Sequence, residues 1–187
     1  MSEEFRPIKF IAPEPDQALR AAFLATTYGP VWHRFHLGTE LQRRPEDEHV
    51  EELGPDWAVG LRSWVIVTAW NPHGQPQEEW ANAEAHQRLL ARVSRAGLVP
   101  TLAQNGDGQW RETALILPGA NLRDGIRLGR EFAQAAVLYG VGRRVALVWL
   151  GADRRKVSRG GVDRRSGDRC RVERYWVQDV NAENGTR

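Results

Sequence analysis

Two short runs constrain this chain more than anything else in it: residues 64–70 (WVIVTAW) and 144–150 (RVALVWL). Each is a nearly unbroken series of β-branched, aliphatic and aromatic residues, the pattern of a strand buried on both faces. Asn71-Pro72 closes the first run, because Pro72 has no N–H to donate and restricts the residue before it. Residues 78–96 follow with Trp80, Ala83, Leu89, Leu90 and Val93 at helical spacing, which predicts an amphipathic helix, and Gly97 suits its C-cap. Residues 98–103 and 113–117 predict two strands, joined as a hairpin by the turn Asn105-Gly106-Asp107-Gly108. Asn121 fits the N-cap of a second helix. Leu122, Ile126, Gly129, Phe132, Ala133, Ala136 and Val137 carry that helix's spacing onward, so it is predicted to end by Gly140.

The resulting order, β-α-β-β-α-β over residues 64–150, predicts an α+β fold of the ferredoxin-like split β-α-β type, with two helices on one face of a four-stranded antiparallel sheet. Three regions follow. Residues 1–62 form an N-terminal helix/strand extension packed on the core, with a short helix over 14–26 and a strand over 31–37. Residues 63–150 are the α+β core domain, and residues 151–187 a basic C-terminal extension. Within the last, residues 170–177 (CRVERYWV) set Val172, Arg174 and Trp176 against Arg171, Glu173 and Tyr175, the alternation of another strand.

Length and composition exclude several classes. A chain of 187 residues is long enough to bury a sizeable core as one domain. Cys170 is its only cysteine, so no internal disulfide scaffold exists. No apolar run approaches the roughly 20 residues of a membrane span, and residues 1–9 lack the apolar centre of a secretion signal. The expectation is a cytoplasmic protein with no membrane partner.

Net charge is only +2, but it is unevenly spread. Residues 1–150 carry 16 basic and 18 acidic side chains, residues 151–187 carry 10 and 6. All but Lys9 and Lys156 of the basic residues are Arg, which fits phosphate recognition, although a codon preference is the plainer account. Arg154, Arg155, Lys156, Arg159, Arg164, Arg165, Arg169 and Arg171 lead into Tyr175 and Trp176. Guanidinium groups neutralise phosphates and aromatic rings stack on unpaired bases, so the leading expectation is a non-enzymatic module that binds single-stranded DNA or RNA through this extension. A solvated extension anchored by its two aromatics is the plainer reading of the same residues.

No catalytic set is legible. A glycine-rich phosphate loop and a G-x-S-x-G elbow are both missing. His33 and His36 fall on opposite faces of a strand, and His49, His73 and His86 have no companion ligand at useful spacing, so no metal site or cofactor is expected. What remains is a set of polar positions in or beside apolar elements: Thr68, Asn71, Asn82, Asp107, Glu112 and Gln134. These suit an amide-lined site for a small ligand, the alternative function. Amides in such places also satisfy loop backbone groups that would otherwise be buried unpaired. A third reading, a protein-interaction module, rests on the eight Trp residues, a subset of which would anchor an interface if exposed.

The same segments carry a family resemblance. Thr68-Ala69-Trp70-Asn71-Pro72, Asn82 in the next helix, the hairpin Gly106-Asp107-Gly108-Gln109-Trp110-Arg111-Glu112, and Arg130-Glu131-Phe132-Ala133-Gln134-Ala135-Ala136 together resemble a bacterial family known by its T-A-W-N-P signature, domain of unknown function 3293. The resemblance covers about residues 23–150. Ala133 stands where that family usually has Gly, the hairpin is abbreviated around Asp107, and the C-terminal extension is longer than usual. The resemblance implies a fold unit and a candidate surface, and brings no reaction with it.

Overall fold

The first apolar run becomes β2 (Trp64–Thr68), buried at every position, and the sheet is built outward from it. The computed structural model describes residues 15–39, 55–58, 60–108, 110–151 and 170–180. β2 lies between β4 (Glu112–Pro118) and β5 (Ala136–Val141), antiparallel to both. β3 (Thr101–Asn105) adds to β4, and on the other side β6 (Arg144–Trp149) adds to β5, β7 (Arg171–Asp179) to β6, and β1 (Phe35–Gly38) to β7. The result is one antiparallel seven-stranded sheet of order β1-β7-β6-β5-β2-β4-β3. With α1 (Gln17–Ala25), α2 (Glu79–Arg95) and α3 (Leu122–Glu131) the chain is α+β.

Two expectations are corrected. The sheet has seven strands rather than four: the strands expected in the two extensions join it as β1 and β7, and β5 is added to the four read in the core. The second helix stops at Glu131 rather than Gly140, and the strand beside β2 is β5, a segment read from sequence as helix. The cause is local. Ala133 adopts φ +52, its N–H bonds the Arg130 carbonyl at 3.0 Å, and the Gln134 N–H bonds the Gly129 carbonyl at 2.7 Å. This is a left-handed C-cap of the Schellman type, in which the turning residue is usually Gly. Ala133 therefore continued the helical spacing in the sequence while ending the helix in space.

The sheet curls until its two outermost strands are bridged by residues 27–29. Tyr28 pairs with Phe35 at the start of β1 through N···O distances of 2.8 and 2.9 Å. On the opposite side, Gly29 O accepts from Gln104 N at 3.0 Å and Thr27 O from Gly106 N at 2.7 Å. Arg34 clamps this junction. Its guanidinium donates to the carbonyls of Thr27 at 2.9 Å, Gly29 at 2.6 Å and Gly106 at 3.0 Å, and to that of Gln104.

The outer face of the curl is sealed by α2 and α3. Val65, Val67, Leu115, Leu117, Val137 and Val148 meet Leu89, Val93 and Leu128 there. α3 lies close because Gly129 has no side chain: a Cβ would fall 2.4 Å from Leu150 Cδ1 and 2.6 Å from Val137 Cγ1. The inner face holds Trp64, Ile66, Ile116, Leu138, Leu147, Tyr175 and Val177 around Tyr28 and Phe35. α1, capped by the Asp16 carboxylate on the N–H groups of Ala18 and Leu19 at 2.9 and 3.1 Å, roofs this face. Phe23 meets Trp149 edge-on there, with ring centroids 5.0 Å apart. Among the described residues, no helix is long and apolar enough to cross a membrane.

Candidate ligand-binding site

β2 ends at a strained corner. Asn71 takes the left-handed conformation, φ 48 and ψ 62, which Asn tolerates better than most residues. Asn82, in the first turns of α2, locks it there. The Asn82 carbonyl accepts the Asn71 backbone N–H at 2.9 Å, and the Asn82 amide donates back to Asn71 Oδ1 at 3.0 Å. Asn71 Oδ1 also takes the Gln77 N–H at 3.0 Å. The amides thus satisfy the loop, as the plainer reading of the sequence expected, and they do one thing more. Asn71 Nδ2 donates to Glu112 Oε1 at 2.9 Å.

Glu112, the first residue of β4, is 9% exposed. Burial pushes its carboxyl up to about 7, against the opposing pull of hydrogen bonds from the Asn71, Asn105 and Trp110 side chains. A buried carboxyl with so displaced a proton affinity is characteristic of functional sites. Thr68 lies near it at the end of β2, donating to the Thr113 carbonyl at 2.8 Å and accepting the Trp70 N–H at 3.0 Å. Gln134 is delivered by the turn at Ala133 and holds the Trp70 and Phe132 carbonyls at 3.0 and 3.1 Å. Asp107, on the hairpin turn, accepts from Thr27 Oγ1 at 3.1 Å.

Five of the six polar positions singled out in the sequence, Thr68, Asn71, Asp107, Glu112 and Gln134, line one cavity of about 450 Å³ at an end of the curl. Asn82 stands behind Asn71 and is not on the wall. Phe23 of α1, Tyr28, Ile66 and Leu138 supply the apolar side. Sequence reasoning missed Asn105 and Trp110 as wall residues, although both belong to the hairpin segment. Asn105 was read only as turn chemistry, yet its Oδ1 is buried without a hydrogen-bond partner.

Backbone strain gathers at the corner beside this wall. The described residues other than Gly with positive φ are Asn71, His73 and Ala133, and the His73 N–H bonds the Ala133 carbonyl at 2.7 Å. Such conformations cost about 1–3 kcal/mol each and cluster at functional sites. A second hollow, about 490 Å³, lies on the other side of this corner, where Arg88, Arg92 and Arg95 of α2 face Glu131 and Phe132. Arg92 is paired with Glu131 at 3.1 Å and Arg88 with Glu84 at 3.7 Å.

The basic extension fares differently. Arg154, Arg155, Lys156, Arg159, Arg164, Arg165 and Arg169 lie outside the described residues. Arg171, Tyr175 and Trp176 lie in β7. Tyr175 is 6% exposed and belongs to the inner core, so its ring has no face to offer a base. Its hydroxyl donates to Glu173 at 2.6 Å and accepts from Arg20 of α1 at 2.9 Å. Burial and the Glu173 carboxylate push that phenol up to about 12. Trp176 carries the Arg144 guanidinium over its ring at 5.6 Å, and Arg171 lies 3.6 Å from Glu173. Of the eight Trp, Trp32, Trp80 and Trp110 are exposed, before β1, at the start of α2 and before β4 respectively.

Residues 67–137 match the model of a family described as a protein of unknown function, DUF3293. No curated protein and no solved structure matches the chain. The DUF3293 segment runs from β2 to the start of β5 and contains all five wall positions predicted from sequence. It also contains Ala133, whose φ of +52 is a conformation that Gly takes without strain.

Proposed function

We propose that this chain is a non-enzymatic module that binds a small molecule in the cavity at the mouth of its curled sheet. One observation carries the reading: residues from β2, the β3–β4 hairpin and the α3–β5 turn converge on a single cavity around the buried carboxyl of Glu112. Its volume is in the range of small-molecule sites, and its make-up, an apolar lining with a few convergent polar groups, is theirs too. The described wall offers amides, carboxyls, and the hydroxyls of two threonines and a tyrosine, each engaged with a backbone carbonyl, and sets no nucleophile beside a base, so it favours binding over chemistry. We further read residues 64–141 as a split β-α-β sandwich enlarged by three added strands. The local order β5-β2-β4-β3, antiparallel throughout, supports that reading.

The test is a fragment screen followed by nitrogen-edited NMR, watching the side-chain amides of Asn71, Asn105 and Gln134. Hits are expected to move these signals first. Fragments that shift only the α2 arginine hollow, or no fragment that shifts the three amides, would defeat the proposal.

A further inference from the structure

The polar atoms on the cavity wall are engaged unequally. Its donors are directed back into the protein. Gln134 Nε2 serves two carbonyls, the Thr68 hydroxyl serves Thr113, the Thr26 hydroxyl serves Ala22 at 2.7 Å, and the Tyr28 hydroxyl serves Phe23 at 2.7 Å. Asn71 Nδ2 is turned onto Glu112. The acceptors are left over. Asn105 Oδ1 is buried without a partner, and Gln134 Oε1 has no hydrogen bond among the described residues. The carboxyls of Glu112 and Asp107 also face this space.

Among the described residues, no Lys or Arg lies on the wall. Arg34 is close enough to Asp107 to feel its charge, but both of its terminal nitrogens are bound to carbonyls of residues 27–29 and 104–106. A ligand that enters must therefore bring donors to meet acceptors, since a buried acceptor without a partner costs about 1–3 kcal/mol. Among the described residues, an anion would meet two carboxyls and no free donor.

We propose that the cavity takes an organic cation, a primary amine or amidinium carried on an apolar body about one ring in size. The cationic head sits among Glu112, Asn105 and Gln134, and the body lies against Phe23, Ile66 and Leu138. A charged head hydrogen-bonded to a carboxylate in a partly desolvated site is the stronger kind of hydrogen bond, and buried charges are held in pairs. This inference rests on the cavity being a ligand site and adds the ligand's charge and donor chemistry.

Benzamidine, benzyl alcohol and benzoate share one ring and differ in the charge and donors of the head, so they separate the two claims. In calorimetry and amide-resolved NMR on the full chain, benzamidine is expected to bind and to shift the Asn71, Asn105 and Gln134 amides. Benzyl alcohol is expected to bind about tenfold more weakly, and benzoate not to enter, a difference set by electrostatic complementarity. Glu112→Gln should weaken benzamidine about tenfold. Asp107→Asn, at an exposed position of the turn, should weaken it about threefold, with the fold of both variants checked by circular dichroism. Benzoate or benzyl alcohol binding as tightly as benzamidine would overturn the cation assignment and leave the cavity a ligand site. If none of the three moves the amides, both the assignment and the site fall.

Discussion

Two helices of this protein end with the same device built on different residues. At the end of α2, Gly97 turns at φ +73, and the N–H groups of Gly97 and Leu98 bond the carbonyls of Ser94 and Val93 at 2.9 and 3.3 Å. At the end of α3, Ala133 turns at φ +52 and makes the equivalent pair of bonds to Arg130 and Gly129. The first turn opens on solvent and leads into an ordinary strand. The second delivers Gln134 to the cavity wall, and its own carbonyl holds the strained His73 beside the Asn71 corner. The unstrained residue is used where nothing depends on the turn, and the strained one where the site begins.

The comparison can be broken in three ways, taken from the largest effect down. If the α3 end belongs to the site, the site should carry a pH dependence that the α2 end lacks. The Glu112 carboxyl titrates near 7 in the folded chain against an ordinary value of 4.5. Between those values the unfolded chain loses its proton first, so stability falls as pH rises, by about 3 kcal/mol in total, and is flat again above about pH 7. Urea unfolding of wild type and Glu112→Gln across pH 4 to 8 should show this slope in the difference between them. A difference that does not change with pH would mean that Glu112 is not the buried carboxyl described.

Gly97→Ala comes next. A Cβ there meets nothing within 4 Å, so the substitution adds backbone strain alone and should cost about 1 kcal/mol in the same unfolding experiment. A neutral result would remove the contrast between the two helix ends.

Ala133→Gly is the reciprocal and the smallest. It should stabilise by a little under 1 kcal/mol, the relief of strain being offset in part by the added freedom of Gly in the unfolded chain. A loss of stability would show that the Ala133 methyl, on the rim of the arginine hollow, contributes packing that outweighs its strain.

The two helix ends also show where sequence was enough. Gly97 announces a C-cap, and α2 was bounded within a residue or two. Ala133 announces nothing, and because Ala133, Ala136 and Val137 kept the helical period, β5 was hidden behind α3. The apolar runs at β2 and β6 and the alternation in β7 were legible because each depends on its own residues. In β7 the buried side is that of Glu173, Tyr175 and Val177. Polar residues set among apolar ones found five positions of the cavity wall, since a buried amide or carboxyl needs a reason to be there. The curl was not legible. It depends on residues 27–29 meeting Gln104 and Gly106 through Arg34, and no local pattern encodes a contact between segments so far apart. Tyr175 misled for a related reason: an aromatic beside arginines reads as a stacking platform until its strand is assigned a face.

The bridge across the curl also shapes how the protein is made and what it can associate with. Where Thr27 and Gly29 accept from Gly106 and Gln104, that half of β3 is no longer a vacant template for another chain, the hazard of an open sheet edge. The bridging contacts join early residues to the middle of the chain, and β1 pairs along its length with β7, far away in sequence. Closures of that span are slow, because loop entropy is lost before the contacts form. The cavity draws its walls from α1, β2, the hairpin and β5, so it has no local precursor, and no fragment of the chain confined to one side of the bridge can form it.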